Sequence, residues 1–544
     1  MPFAFDLRSD PRVHRLLVIL VLASLTTGAL QQIIGGMHGA WDLPQFSMSS
    51  FLLGLPWLVV ALVLGWCAPV VLIYGVAFFT CFNAWRPIDL PIGSFTASQI
   101  LSMLAIIIII LKYQPHSWGS NRRISRVMLI LLAIMALSAI HVLFLDVGDT
   151  SGLPILREGR SNPLIRSLSA IGSVMIGMSA YFATVYLLKD PARLLSALKC
   201  WIGGALFTVL VGFYCLAHSY APGLPAIPLP TLGGDGTGVI TRDLFFTESF
   251  GSGPLVYRLA SFAYEPRHLA LMLSPLVCFL LVMGTLSHST IGYNKKKYLF
   301  VTGIMLVGLA LTTSRTTYIF YIVIIAIYLW SIRISKQQKY KSSLYLVIFA
   351  LLIILGLYYI FYGMNPIDFI VSQLESFQEA DVSQTGMPIA IAGLKIGWDM
   401  FINSPLLGQG IGSYIYFIDK YGYSFFLAPS PNNLYLSIMA ETGIIGLIVI
   451  LWLFIVGLRI ARSIMPSASE MQHSLSLALA ATLLVTYFDF ILWDLIHYTN
   501  LWMLLGFVEA ASKITGFPNS PLPSADMAIG IQEAPGTVGS CPIS

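Results

Sequence analysis

The sequence is poor in charge. Only 10% of its 544 residues are Asp, Glu, Lys or Arg, where a soluble globular chain carries about a quarter. That excludes an ordinary soluble domain. Cysteine is also scarce. Cys67, Cys81, Cys200, Cys215, Cys278 and Cys541 show no paired metal-ligand spacing, and all but the last fall in apolar segments, so neither a metal site nor a disulfide framework is implied. No tandem repeat runs through the chain, which counts against a transporter built from repeated halves. The glycine run 406–414 follows no buried strand and lacks the Lys of a phosphate-binding loop, which excludes a nucleotide site of that type. No small-residue cleavage site follows Arg8, Arg12, Arg15 and the apolar run from Leu16, so the N-terminus reads as a retained signal-anchor helix. The net charge of +5 is spread over many loops and points to no nucleic acid.

What the chain has is apolar length. Hydrophobic residues make up 57%, the mean hydropathy is +0.81, and many runs reach the roughly 20 residues that span a bilayer. The expected fold is an all-α polytopic membrane protein with fourteen spans, near 16–34, 49–64, 68–85, 94–111, 126–145, 164–188, 194–217, 267–287, 298–313, 317–332, 343–362, 434–458, 474–493 and 498–513. With the N-terminus inside, the clusters Arg122/Arg123/Arg126, Lys189/Arg193, Lys295–Lys297, Arg333/Lys336/Lys339/Lys341 and Arg459/Arg462 all fall on the cytoplasmic side, as the positive-inside rule demands. Both termini are then cytoplasmic. The organisation follows: N-terminal spans over 1–217, a first large outer loop at 218–266, spans over 267–362, a second outer loop at 363–433, spans over 434–513, and a disordered tail at 514–544. The first loop is rich in Gly and Pro. The second has apolar stretches and reads as a folded cap.

Three groups of residues stand out on the outer side. Arg86, Arg157, Arg160, Arg242, Arg258, Arg267 and Arg315 all face outward in this topology. A guanidinium at the membrane edge is costly without an anionic partner, and its planar donors suit a phosphate; snorkelling or a salt bridge is the bland alternative. Residues 257–268, Tyr-Arg-Leu-Ala-Ser-Phe-Ala-Tyr-Glu-Pro-Arg-His, place Pro266 at a helix start. Arg267 and His268 then add donors to an N-terminus that attracts anions, and Glu265 can accept a proton. Residues 430–446 read Ser-Pro-Asn-Asn-Leu-Tyr-Leu-Ser-Ile-Met-Ala-Glu-Thr-Gly-Ile-Ile-Gly. Asn432 or Asn433 can cap the helix. Asn433, Ser437 and Glu441 share a face, expected to be the wall of a cleft, and Gly443 and Gly446 are expected to admit a neighbouring helix. Asp489, Asp494, His497 and Tyr498 surround the last outer turn, where ion pairing or capping is expected rather than catalysis.

These residues carry a resemblance. The segment from about Arg258 to Gly446 resembles the O-antigen ligase and O-antigen polymerase superfamily of bacterial envelope proteins. Ser314-Arg315 resembles its arginine after an apolar span. Pro405-Leu-Leu-Gly-Gln-Gly-Ile-Gly-Ser-Tyr414 resembles its Pro-x-x-Gly-x-Gly stretch. Asn432-Asn433, nine residues, then Gly443-Ile-Ile-Gly446 fits its motif of His, a small amide or hydroxyl residue, nine residues and Gly-x-x-Gly. Asn432 stands where the ligases carry His as the proposed base, so the resemblance favours the polymerase branch. Lys395 stands where Arg is expected, three residues before Trp398.

The resemblance implies a GT-C-like glycosyltransferase of the bacterial inner membrane. It would transfer glycan between undecaprenyl-pyrophosphate-linked oligosaccharides on the periplasmic face, with no nucleotide, essential metal or other cofactor. The lipid bilayer is its medium, and a chain-length regulator and a flippase are candidate partners. Arg258 and Arg315, with Arg267, are expected to clamp the pyrophosphate. Glu265 is the expected base and Glu441 its reserve. His268, Arg242, Asn432, Asn433 and Lys395 are expected to bind substrate. A ligase to lipid A core and a lipid-linked oligosaccharide flippase or transporter are the alternatives.

Overall fold

A computed structural model describes residues 11–35, 48–82, 85–90, 93–113, 123–144, 162–221, 224, 239–241, 257–259, 261–263, 266–286, 295–312, 315–335, 389–420, 430–464, 470–492, 494 and 496–514. The chain is an all-α polytopic membrane protein. Its helices are α1 (Pro11–Gly35), α2 (Met48–Cys67), α3 (Val70–Phe79), α4 (Ala97–Tyr113), α5 (Arg123–Val142), α6 (Pro163–Leu187), α7 (Pro191–Tyr220), α8 (Pro266–Leu286), α9 (Lys295–Leu311) and α10 (Arg315–Ser335). They continue with α11 (Ile389–Asn403), α12 (Tyr414–Lys420), α13 (Leu434–Ser463), α14 (Glu470–Asp489) and α15 (Thr499–Lys513). Among the described residues, seven helices are long and apolar enough to cross a membrane. The expected span 343–362 lies outside the described residues.

Local chemistry sets where these helices begin. Pro163, Pro191 and Pro266 open α6, α7 and α8, where a missing N–H does no harm. Asn162 accepts from the amides of Leu164 and Ile165, and Asp190 accepts from that of Arg193. α3 is shorter than its expected span. It stops at Phe79, rising about 15 Å, half the hydrocarbon thickness. Beyond it Trp85 donates to Gln31 Oε1 at 3.2 Å, and Gln31 donates to the Pro87 carbonyl at 3.0 Å. This tie leads into a small antiparallel pair, β1 (Ile88–Leu90) with β2 (Gly93–Phe95).

The periphery and the centre differ in kind. Leu22, Val59, Leu111, Leu129, Ile322 and Ile448 are each more than half exposed, on six different helices. So many exposed large hydrophobics call for lipid rather than water. α8, by contrast, is buried along nearly its whole length and packs on α14, α10 and α9. α6 packs on α15, and α5 and α11 pack on α13. Pro275 inside α8 cannot donate to the Leu271 carbonyl. The neighbouring Ser274 turns its hydroxyl to Asp489 at 2.8 Å, joining α8 to α14.

The approach to α8 is pinned. β3 (Val239–Thr241) pairs with β4 (Tyr257–Leu259), setting Ile240 opposite Arg258. Ser261 then takes a left-handed backbone and donates to the Thr208 carbonyl at 2.6 Å. Phe262 stacks on Phe82 at 4.4 Å. The segment before Pro266 is therefore anchored to α7 and to the aromatic cluster beyond α3.

Candidate functional site

α13 is broken in the middle. Gly443 has φ 70° and ψ −171°, which ends the run of internal hydrogen bonds and strips partners from the backbone around it. The glycine-rich stretch supplies them. The amide of Gln409 donates to the Ala440 carbonyl at 2.8 Å and that of Gly410 to the Glu441 carbonyl at 3.0 Å, while the amide of Ile444 donates to the Pro405 carbonyl at 2.8 Å. A segment from the end of α11 thus substitutes for a missing helical turn. Two glycines make this close approach possible. A Cβ on Gly408 would run into the backbone between Glu441 and Thr442, and one on Gly443 would run into the Leu406 carbonyl. Both also hold positive φ, which glycine adopts at no steric cost.

α5 and α6 hold the same stretch from the other side. Ser138 donates to the Glu441 carbonyl at 2.5 Å, His141 Nδ1 meets the Gly408 carbonyl at 2.8 Å, Arg166 Nε donates to the Gly412 carbonyl at 2.8 Å, and Ser167 donates to the Ile411 carbonyl at 2.5 Å. The Glu441 carboxylate closes the knot. It faces the backbone amides of Gly412 and Tyr414, the latter 3.5 Å from Oε1, and Arg166 attracts it across Gly412.

The stripe Asn433, Ser437 and Glu441 does share a face, but among the described residues it lines no open cleft. Asn433 is the cap of α13, accepting from the Leu436 amide at 2.9 Å, and its Nδ2 donates to the Ile491 carbonyl at 2.8 Å. Ser437 and Glu441 are buried. The stripe is covered by the α14–α15 turn and by the glycine-rich stretch. Gly443 breaks α13 against the Leu406–Leu407 backbone rather than against a helix, and the nearest side chains to Gly446 among the described residues are Thr442 and Ile438 of its own helix. Asn432 has φ 52°. Few side chains accept that backbone, and Asn, Asp and His are the enriched ones.

A second polar centre sits in the turn between α14 and α15. Ser437 donates to Asp494 Oδ2 at 2.6 Å, the amide of Ile496 also serves that carboxylate, and the amide of Leu434 donates to the Phe490 carbonyl at 2.8 Å. The turn is thereby bolted to the N-terminus of α13. Among the described residues, Asp489 Oδ1, Asp494 Oδ1 and Asn500 Oδ1 are buried without a hydrogen-bond partner. Asp489 and Asn500 line a cavity of about 20 Å3 with Leu271, Thr486 and Tyr498, sized for one water molecule. Burial pushes the Asp494 carboxyl up to about 6, with the Ser437 hydroxyl and the Ile496 amide opposing. Burial and then the Arg86 charge pull His497 down to about 4. Of the expected ion pairing or capping, no ion pair of Asp489 or Asp494 is seen among the described residues: each takes a serine hydroxyl, and Asp494 also accepts from the Ile496 amide as a capping residue does.

Two arginines and two histidines gather beside this turn. Arg86, Arg267, His268 and His497 lie close enough to act on one another electrostatically. His268 is buried near Tyr498, with ring centres 6.2 Å apart. Arg315 is the first residue of α10. α10 runs parallel to α8, because α9 turns back on each, with Tyr298 against Gly284 and Tyr321 donating to the Leu306 carbonyl at 2.8 Å, and Thr285 and Tyr328 meet at 2.8 Å. Counting back at 1.5 Å per residue puts Arg267 and Arg315 within about 10 Å of each other along the bundle axis. The backbone of Arg258 lies in β4. Lys395 is exposed on α11, one turn from the exposed Trp398. Arg242 and Glu265 lie outside the described residues, as do the side chains of Arg258 and Arg315. Sequence reasoning missed the anchors Ser138, His141, Arg166 and Ser167, whose partners are more than 240 positions away.

Residues 300–451 match the family model described as O-antigen ligase. The matched segment contains the glycine-rich stretch, Glu441 and the helix break. It supports the O-antigen ligase and polymerase superfamily, and with it a multi-pass membrane enzyme of that type in surface glycan synthesis. The match does not separate polymerase from ligase. No curated protein matches the chain.

Proposed function

We propose that this chain polymerises lipid-linked repeat units of a bacterial surface polysaccharide at the periplasmic face of the inner membrane. A growing glycan on undecaprenyl pyrophosphate would be passed to a hydroxyl of a new undecaprenyl-pyrophosphate-linked unit. The observation that carries this reading over the ligase alternative is Asn432. It occupies the first motif position in a backbone that would accept His but cannot take a proton. The arginines beside the α14–α15 turn, Arg86 and Arg267, support the chemistry. Pyrophosphate leaves readily when its developing charge meets preorganised positive groups, and Arg267, Arg258 and Arg315 are the proposed donors, with Glu265 and Lys395 adjoining substrate. The remaining need is to position the acceptor hydroxyl.

Purified protein supplied with defined lipid-linked repeat units and no membrane gradient should lengthen the glycan. Arg315→Ala and Arg258→Ala should each cut elongation at least tenfold. Full-length product from both variants would remove the clamp. Transfer to lipid A core with no lengthening would make the protein a ligase.

A further inference from the structure

We propose that Asp494 accepts the proton of the attacking hydroxyl during glycan transfer; this deepens the transfer reading above and rests on it. Asp494 stands in the turn that bolts α14 and α15 to the N-terminus of α13. Its two oxygens differ. Oδ2 is held by the Ser437 hydroxyl at 2.6 Å, and the Ile496 amide also points at the carboxylate, so its rotation is fixed. Oδ1 is buried and has no partner among the described residues. A buried acceptor left without a donor calls for an explanation, and a ligand that brings the donor is one. A sugar hydroxyl is neutral, donates one hydrogen bond and suits a lone oxygen.

The surroundings agree. Glu441 of α13 interacts with Asp494, and Arg166 of α6 faces Glu441 across Gly412. Asp489 closes α14, while His497 follows in the same turn with Arg86 beside it. Glu441 is a poor rival because the amides of Gly412 and Tyr414 already engage it. Asn432 has no proton affinity near neutral pH. Burial holds the Asp494 carboxyl near 6, so at neutral pH it is ionised yet basic enough to act, which is where a general base works well. In the step, the acceptor oxygen bonds to the anomeric carbon as the bond from that carbon to the pyrophosphate oxygen breaks. The hydroxyl proton passes to Asp494, and the lipid pyrophosphate leaves with the electron pair.

Asp494→Asn is read against Asp494→Glu and Ser437→Ala in the elongation assay from pH 4.5 to 8.5. Binding of the lipid-linked unit is measured in parallel. We expect Asp494→Asn to lower turnover by about 100-fold or more while binding changes less than threefold. Native turnover should fall on the acid side with a midpoint near the Asp494 value of about 6. Ser437→Ala removes a donor that favours the carboxylate, so its acid limb should move to higher pH. Asp494→Glu should retain measurable turnover. Turnover within threefold of native in Asp494→Asn, or an acid limb unmoved in Ser437→Ala, overturns the assignment; Glu265→Gln losing turnover alone would then point to that residue. If Asp494→Asn does not fold, the pH profile of Ser437→Ala decides. If native protein transfers glycan only to lipid A core, the polymerase reading falls, and the same variants are judged in that reaction.

Discussion

The two ends of one polar stripe on α13 have opposite characters. At Glu441 the groups freed by the helix break find partners: loop amides take the Ala440 and Glu441 carbonyls, Pro405 takes the Ile444 amide, and two backbone amides face the carboxylate. About one turn nearer the cap, Ser437 leads to a turn where three buried oxygens have no donor among the described residues. A saturated site costs energy to disturb and gains nothing from a ligand. An unsaturated one is held at a cost by the rest of the fold and gains when a donor arrives. The contrast assigns scaffold to the first and chemistry to the second.

The sharpest way to break this comparison is at the helix break. Gly443→Ala places a methyl against the Leu406 carbonyl and forces a non-glycine residue to positive φ. The backbone strain alone costs about 1–3 kcal/mol, and the overlap adds to it. We expect little folded protein in detergent by size-exclusion chromatography. A monodisperse variant with native melting temperature would show that the glycine-rich stretch is not a structural insert.

Glu441 should give a smaller effect of the same kind. Glu441→Ala leaves the Gly412 and Tyr414 amides buried without an acceptor, at about 1–3 kcal/mol for each donor lost. Glu441→Gln keeps one acceptor oxygen and should lose less. In both, activity per folded molecule should stay within threefold of native. A thermal melt paired with a turnover assay checks this; loss of turnover at unchanged stability would move Glu441 to the chemical side.

The smallest effect should be a gain. Folded Asp494 holds its proton to about pH 6, whereas an unfolded chain releases it near about 4. Between those values the folded state binds more protons, so this group makes stability fall as pH rises. Asp494→Asn removes that burden. Its melting temperature should match native below about pH 4 and exceed it above about pH 6. A stability gain joined to lost turnover is the mark of a functional residue. Lower stability than native at pH 7 would mean that Asp494 is a bolt like Glu441.

Much of the architecture was legible because it is local. Prolines at helix starts, the Asn433 cap, the burial of apolar runs and the first turn of α8 at Pro266 all follow from neighbours in sequence. The tertiary roles were not. Gly443 and Gly446 suit close helix packing and helix breakage equally well, and only φ and the position of Leu406 decide. The stripe on α13 is periodic whether it faces water or loops. His141 and Arg166 look like ordinary polar residues on apolar helices until residues 408–412 arrive. Asp494 was visible as an acid near the last outer turn, but nothing in its neighbours announced that one oxygen would be sealed away without a donor.

The left-handed backbone at Asn432 has a consequence for how such proteins diverge. Histidine and asparagine codons differ at one base, and both residues tolerate this geometry. A single point mutation can therefore exchange a titratable ring for an amide while the main chain stays where it is. The backbone at this position sets no barrier to that exchange.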